Sequence, residues 1–358
     1  MRSSRQIAVV GCHAEGEIGD VIVGGVLPPP GDSVFEMMRA FEHDCDHIRR
    51  FLICEPRGSV ARHVNLIVPP KRPDCVAGAI IKEPTEYPPM SGSNTMCVAT
   101  VLLETGMAPM QEPETRLRLD MPGGPVDVTA QCDGGKVRSV TIRNVPCFAE
   151  RLGAPLEVEG VGAIPVDVGY GGMFYALVDA TALGFEIRPD EARDLASLGE
   201  KVRRAARAQF DVVHPENSDI RGVSIVQFHA PFEGAGTVAR NTCIVSPGRS
   251  DRSPTGTGLS ARLAVLHARG LLKSGEAFSH LSIIGSRFDG RIAAETVCGA
   301  RPAIIPEITG RAYITGMMTY FLDPEDPFPE GYSVADTWGV STHTHQDRAA
   351  ARPARRTS

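Results

Sequence analysis

β-favouring runs with turn residues at their ends recur along the chain, and helical spacing is confined to four stretches. Residues 6–10, 21–26 and 59–68 read as short strands bounded by Gly, Pro or Asn. Between them, residues 32–51 place Val34, Met37, Met38, Phe41 and Ile48 on one face and predict a single amphipathic helix. A Pro-punctuated loop over 83–89 leads to residues 94–104, which are apolar almost all round and stop at Gly106. That pattern predicts a buried helix. Strands follow at 115–119, 126–129 and 137–142, with Asp133-Gly134-Gly135 turning the last pair.

The second half repeats this order. Strands are expected at 164–168 and 174–178, then a surface helix over 189–208 rich in Arg and Glu. Strands at 222–228 and 242–245 lead to a helix over 259–269, where Leu259, Leu263 and Leu266 share a face and Gly270 ends it. Further strands are expected at 281–284, 291–296 and 312–320. Such self-similarity predicts two related α/β halves with a ligand between them. The expected division is 1–168, completed by 311–335, against 169–310.

A chain of 358 residues and 38.3 kDa has mass for two such units. Hydrophobic and charged shares of 42% and 22% are those of a globular protein, and a net charge of -6 argues against nucleic acid as a partner. No run reaches membrane-spanning length and the start reads as too short and polar for a signal peptide, so a cytoplasmic protein is expected. Residues 340–358 are expected to form a disordered tail. The nine cysteines form no CxxC pair and are odd in number, so they read as reduced.

One short motif occurs twice, as Pro89-Met90-Ser91-Gly92-Ser93-Asn94-Thr95 and as Ser253-Pro254-Thr255-Gly256-Thr257-Gly258. Each copy sets a small hydroxyl before a Gly at a helix start, where unpaired amides hold an anion. Two such cradles could face one small acid from opposite sides. His43 and His47 have helical metal-ligand spacing, but solvated residues on the polar face explain them as well. Glu15 and Glu17 read either as solvated carboxylates or as a proton relay near the site.

Asp251-Arg252-Ser253-Pro254-Thr255-Gly256-Thr257-Gly258 resembles the DRSPCGTG box of the proline racemase superfamily. Glu55-Pro56-Arg57-Gly58, Met90-Ser91-Gly92, Arg143-Asn144-Val145-Pro146, Tyr170-Gly171-Gly172 and Ile308-Thr309-Gly310 extend the match over most of the chain. The resemblance implies a diaminopimelate epimerase-like α/β fold, each half a curved sheet around a central helix. It also implies cofactor-free proton transfer at the α-carbon of a cyclic amino acid, and a homodimer. Racemases and epimerases of the family use two cysteines, and Ser91 and Thr255 stand in their places here.

Carried over, the resemblance makes Ser91 the α-proton acceptor with Thr255 opposite it. Gly92 and Ser93 on one side, and Gly256 and Thr257 on the other, would hold the substrate carboxylate, with Asp251 on its ring ammonium. An alcohol ionises far less readily than a thiol, so Ser91 needs a partner to take its proton. Ser93 stands where the family usually has His, and Ser224 occupies the place of another substrate-contacting His. Three readings follow: dehydration of trans-3-hydroxy-L-proline, which needs one competent face; epimerisation of hydroxyproline; and binding of a cyclic amino acid without turnover.

Overall fold

The computed structural model describes residues 3–338, so the expected tail at 340–358 lies outside the described residues. Two helices organise the molecule, Gly92–Glu104 and Gly256–Ala268, each almost wholly buried. Each closes the same unit: a strand, the helix, and a parallel strand. Ala77–Lys82 runs through the first helix to Glu114–Met121, and Val238–Val245 runs through the second to Ala277–Leu281. The strand before each unit is antiparallel to it and parallel to its own outer neighbour: Arg62–Val68 with Glu17–Gly24, and Ile225–His229 with Phe174–Asp179.

This pairing pattern makes the two halves pseudo-symmetric. Hydrogen bonds between Lys136–Arg143 and Arg301–Gly310 join them into one continuous sheet of 17 strands, which curves round both helices. The last long strand, Ala312–Leu322, pairs antiparallel with Arg5–Ala14 beside the first helix. Strands Phe148–Val158 and Gly162–Tyr170 pair with Phe174–Asp179 and pack on the second helix. The chain crosses from the first helix to the second between Arg143 and Phe148.

Both central helices have apolar residues on every side because strands surround them. Val98, Val101 and Leu102 of the first, and Leu259, Leu263 and Leu266 of the second, belong to one apolar cluster spanning both halves. A second cluster lies under Val34–Asp44 and Asp46–Ile53. These are two helices, where one over 32–51 was expected. The break at Cys45 starts the second on Asp46, whose carboxylate takes the Arg49 guanidinium and the Tyr87 hydroxyl. His43 pairs with the adjacent Asp44 and His47 with Arg5, so the two histidines do not converge. All nine cysteines are free thiols, eight of them buried.

Several strands go beyond the sequence expectations, three of them six residues or longer. Ala77–Lys82 is buried along its whole length and so shows no alternation, Phe148–Val158 alternates imperfectly, and Arg301–Gly310 contains Pro302 and Pro306. Among the described residues no helix is long and apolar enough to cross a membrane.

Candidate active site

The two motif copies meet. A Cβ added to Gly92 would lie 2.9 Å from Cα of Gly256, and one added to Gly256 would lie 3.0 Å from Cα of Gly92. Only glycine at both positions lets the backbones of two helix starts come this close. The helices begin at Gly92 and Gly256 rather than at 94 and 259, because the glycines form the first turn itself. Amides of Gly92, Ser93 and Asn94 on one side, and of Gly256, Thr257 and Gly258 on the other, have no intrahelical acceptor, so six donors gather at one junction.

Ser91 and Thr255 are the residues before these helices, 7% and 6% exposed. Neither side chain caps its own helix, which a hydroxyl in this position ordinarily does. Both are engaged elsewhere, and with opposite polarity. Ser91 Oγ accepts from Asn94 Nδ2 at 2.9 Å and keeps its own hydrogen to donate. Thr255 Oγ1 donates to Asp251 Oδ2 at 2.5 Å and keeps its lone pairs free.

Thr255 is also held at φ 59°, a left-handed conformation that strains a β-branched residue. The box around it supplies the restraint. Ser253 N donates to Asp251 Oδ1 at 2.8 Å, and Thr255 N to Ser253 Oγ at 3.1 Å. Asp251, expected on a ring ammonium, thus has both oxygens engaged within its own loop. Burial pushes its carboxyl up to about 8, and the facing Glu17 carboxylate adds to the rise.

The remaining expected residues lie close by. Ser93 is buried in the first turn, and Thr257 Oγ1 shares a 2.6 Å hydrogen bond with the Tyr175 hydroxyl. A Cβ on Gly171 would strike the Thr257 carbonyl at 2.0 Å, so the Tyr170-Gly171-Gly172 turn packs directly on the second helix start. Ser224 stands farther out, lining a cleft of about 130 Å³ with Pro89, Met173 and Glu86. A wider cleft of about 760 Å³ reaches Arg249, Ser250 and Arg252.

Three residues, Asn94, His63 and Arg249, go unassigned from sequence, and Glu17 carries only the alternatives of solvated carboxylate or relay. Asn94 sits inside the first motif and reads there only as helix. His63 lies on a strand with no local signal, its Nδ1 3.1 Å from Asn94 Nδ2. Arg249 and Glu17 form a buried ion pair that joins the halves, and Glu17 Oε2 accepts from Arg252 N at 2.8 Å. Glu17 is 1% exposed, not solvated. Among the described residues no group of three His, Cys, Asp or Glu could hold a metal ion.

The family model described as Proline racemase matches residues 9–333. A hydroxyproline epimerase from Agrobacterium vitis, solved with bound trans-4-hydroxy-L-proline, is 42% identical and superposes with a TM-score of 0.91, covering 96% of this chain and 100% of that one. A probable proline racemase from Agrobacterium radiobacter K84, solved with bound carbonate, is 41% identical with a TM-score of 0.90, over 94% and 99% of the two chains. A PhzF family phenazine biosynthesis protein from Bacillus anthracis shares the fold alone, at 11% identity and a TM-score of 0.55 over 89% and 100%.

Proposed function

This chain belongs to the proline racemase family, and from that premise we propose that it removes the α-proton of a hydroxyproline on one face only and expels the ring hydroxyl as water. The observation that carries this reading is the opposite polarity of the two hydroxyls. Removing a proton and returning one to the opposite face needs a group on each side that can lose and regain it. Thr255 has such a partner in Asp251; the side-chain amide of Asn94 can only donate to Ser91.

Trans-3-hydroxy-L-proline suits a single face. Its hydroxyl is trans to the carboxylate, so the C2 hydrogen and the C3 hydroxyl project to the same side of the ring. As the C2–H bond breaks, its proton passes to Thr255 Oγ while the Thr255 proton moves to Asp251 Oδ2. The electron pair forms C2=C3 and the C3–O bond breaks. The proton held by Asp251 returns through Thr255 to the departing hydroxide, giving water and restoring the base. The enamine released tautomerises to Δ1-pyrroline-2-carboxylate. The helix-start amides at Gly92, Ser93, Gly256 and Thr257 hold the substrate carboxylate and the charge that spreads onto it. Ser91 then donates rather than accepts, a reversal of the role its motif position implied.

Epimerisation is the second reading, favoured by the 42% identity to a hydroxyproline epimerase. One experiment separates them. Protein is incubated in heavy water with trans-3-hydroxy-L-proline and, separately, with trans-4-hydroxy-L-proline. Dehydration yields the pyrroline from the first substrate and no inverted product from the second. Inverted, C2-deuterated 4-hydroxyproline without pyrroline overturns the dehydratase reading, and binding without either product favours a non-catalytic binder.

A further inference from the structure

The bond between the Tyr175 hydroxyl and Thr257 Oγ1 is buried from both ends, the two residues being 0% and 3% exposed. Tyr175 stands on Phe174–Asp179 and pairs with Gly169 on the strand before the Tyr170-Gly171-Gly172 turn. A Cβ on Gly169 would lie 3.0 Å from the Ala261 carbonyl oxygen, so this arm of the hairpin packs on the second helix as tightly as the turn does. The hairpin thus carries the phenol to the helix start on a backbone held at two places. Thr257 in turn reaches the other half. A Cβ on Gly172 would lie 3.1 Å from Thr257 Cγ2 and 2.9 Å from Cβ of Met90, the residue before Ser91. The Tyr175–Thr257 pair therefore lies where the two motif copies meet.

Two hydroxyls bring two hydrogens, and the bond between them uses one. Among the described residues neither oxygen has a further hydrogen-bond partner, so the second hydrogen has no acceptor in the protein. Glu83 and Asp251 lie near the phenol without bonding to it, and burial holds the phenol well above its ordinary range, so it keeps its proton. Direction decides which hydrogen is left over. If Thr257 donates, the phenol hydrogen remains beside Leu177, Ile225, Val245 and Val265, in the apolar cluster to which Tyr175 belongs. A donor buried there without an acceptor is costly. If Tyr175 donates, the remaining hydrogen is on Thr257, in the first turn of the helix whose unpaired amides already gather at the junction.

We propose that Tyr175 is a positioning residue for the substrate carboxylate: by donating to Thr257 Oγ1 it leaves the Thr257 hydrogen for the carboxylate, a side-chain donor beside the amides of Gly256 and Thr257. The role rests on the carboxylate cradle of the proposed function, but not on which reaction follows. Tyr175 reads from sequence as an ordinary strand residue, because its partner is 82 positions away.

Pyrrole-2-carboxylate is a planar ring acid with no hydrogen on C2, so its binding reports the cradle without turnover. Titration calorimetry on the wild type, Tyr175→Phe, Thr257→Val, Thr257→Ser and the double variant Tyr175→Phe/Thr257→Val tests the role. Tyr175→Phe is expected to weaken binding about 3- to 10-fold, through loss of the orienting bond. Thr257→Val loses the hydrogen bond to a charged group and should weaken it about 10- to 100-fold. Thr257→Ser keeps the hydroxyl and should bind far more tightly than Thr257→Val. The double variant should bind no more weakly than Thr257→Val, because the phenol acts only through Thr257. A folded Tyr175→Phe protein with wild-type affinity overturns the role, and so do losses that add in the double variant. Should Tyr175→Phe fail to fold, Thr257 decides: wild-type affinity in Thr257→Val, or a serine variant as weak as the valine one, overturns it. A wild-type protein that does not bind the acid overturns the cradle and this role together, whereas failure of the dehydration assay alone touches only the reaction.

Discussion

Gly92 and Gly256 touch backbone to backbone across the junction of the two halves, so that neither can carry a side chain without moving a helix. Their φ angles are ordinary, so an alanine in either place meets steric resistance alone. Gly92→Ala is expected to cost about 1–3 kcal/mol of stability, the usual range for forcing extra volume into a packed site. It should lower turnover by about 100-fold, because it parts the two amide cradles. Gly316, with nothing within 4 Å of its added Cβ, is the control: Gly316→Ala should change neither quantity appreciably. Thermal unfolding and steady-state kinetics on both variants check the pair, and an active Gly92→Ala enzyme would sink the shared-cradle interpretation.

Asp251 couples stability and turnover to pH in opposite directions. The folded protein holds its proton up to about pH 8, whereas an unfolded aspartate releases it near pH 4. The stabilisation from that extra bound proton is complete below about pH 4 and is lost as pH rises through about 8. Taking up the Thr255 proton requires the ionised form, so kcat should climb over the upper part of the same window. Asp251→Asn should abolish turnover and remove this component of pH dependence. Melting temperatures of both proteins between pH 4 and 9 test it: the wild type should lose ground to the variant as pH rises.

Much of the architecture is legible in the sequence because burial leaves a pattern. Residues 94–104 are apolar on every side, which only surrounding structure can satisfy, and 259–269 carry a leucine face that Gly270 closes. The two Gly-containing starts are legible as a repeated motif, and their meeting follows from the repeat. What escapes is what depends on pairing across the fold. Ala77–Lys82 is buried on both faces and shows no period. His63 gives no signal because its relevance comes from Asn94 and Arg249, which are 31 and 186 positions away. Sequence position alone makes Ser91 and Thr255 equivalent to the family's thiols, and only their hydrogen bonds reveal that one donates where the other accepts.

Packing and chemistry can be separated by a substitution in the second central helix. Leu263 is fully buried in the cluster that spans both halves and lies two turns from Thr255. Leu263→Ala is expected to cost about 2–5 kcal/mol, as large-to-small core changes do. Because it leaves the helix start in place, kcat at a temperature where the variant stays folded should fall less than about threefold. Denaturant unfolding beside kinetics measures both, and a selective loss of kcat without destabilisation would show that the helix body takes part in catalysis.

Ser91→Cys tests whether the missing thiol is what confines the chemistry to one face. A thiol has an ordinary pKa of about 8.5 and ionises readily near neutral pH, whereas Ser91 has beside it only the Asn94 amide, which donates. Burial works against a thiolate at this position, while the unpaired amides of the Gly92 helix start favour it. A cysteine at 91 should therefore lose and regain a proton by itself, opposite the Thr255–Asp251 pair. The variant is expected to put solvent deuterium at C2 of trans-4-hydroxy-L-proline with inverted configuration, where the wild type gives none. Dehydration of trans-3-hydroxy-L-proline should persist, since Thr255 and Asp251 are untouched. Chiral chromatography with mass spectrometry reads both outcomes. If the cysteine variant dehydrates as before and inverts nothing, the limit on this site lies in how it holds the ring and not in the acidity of residue 91.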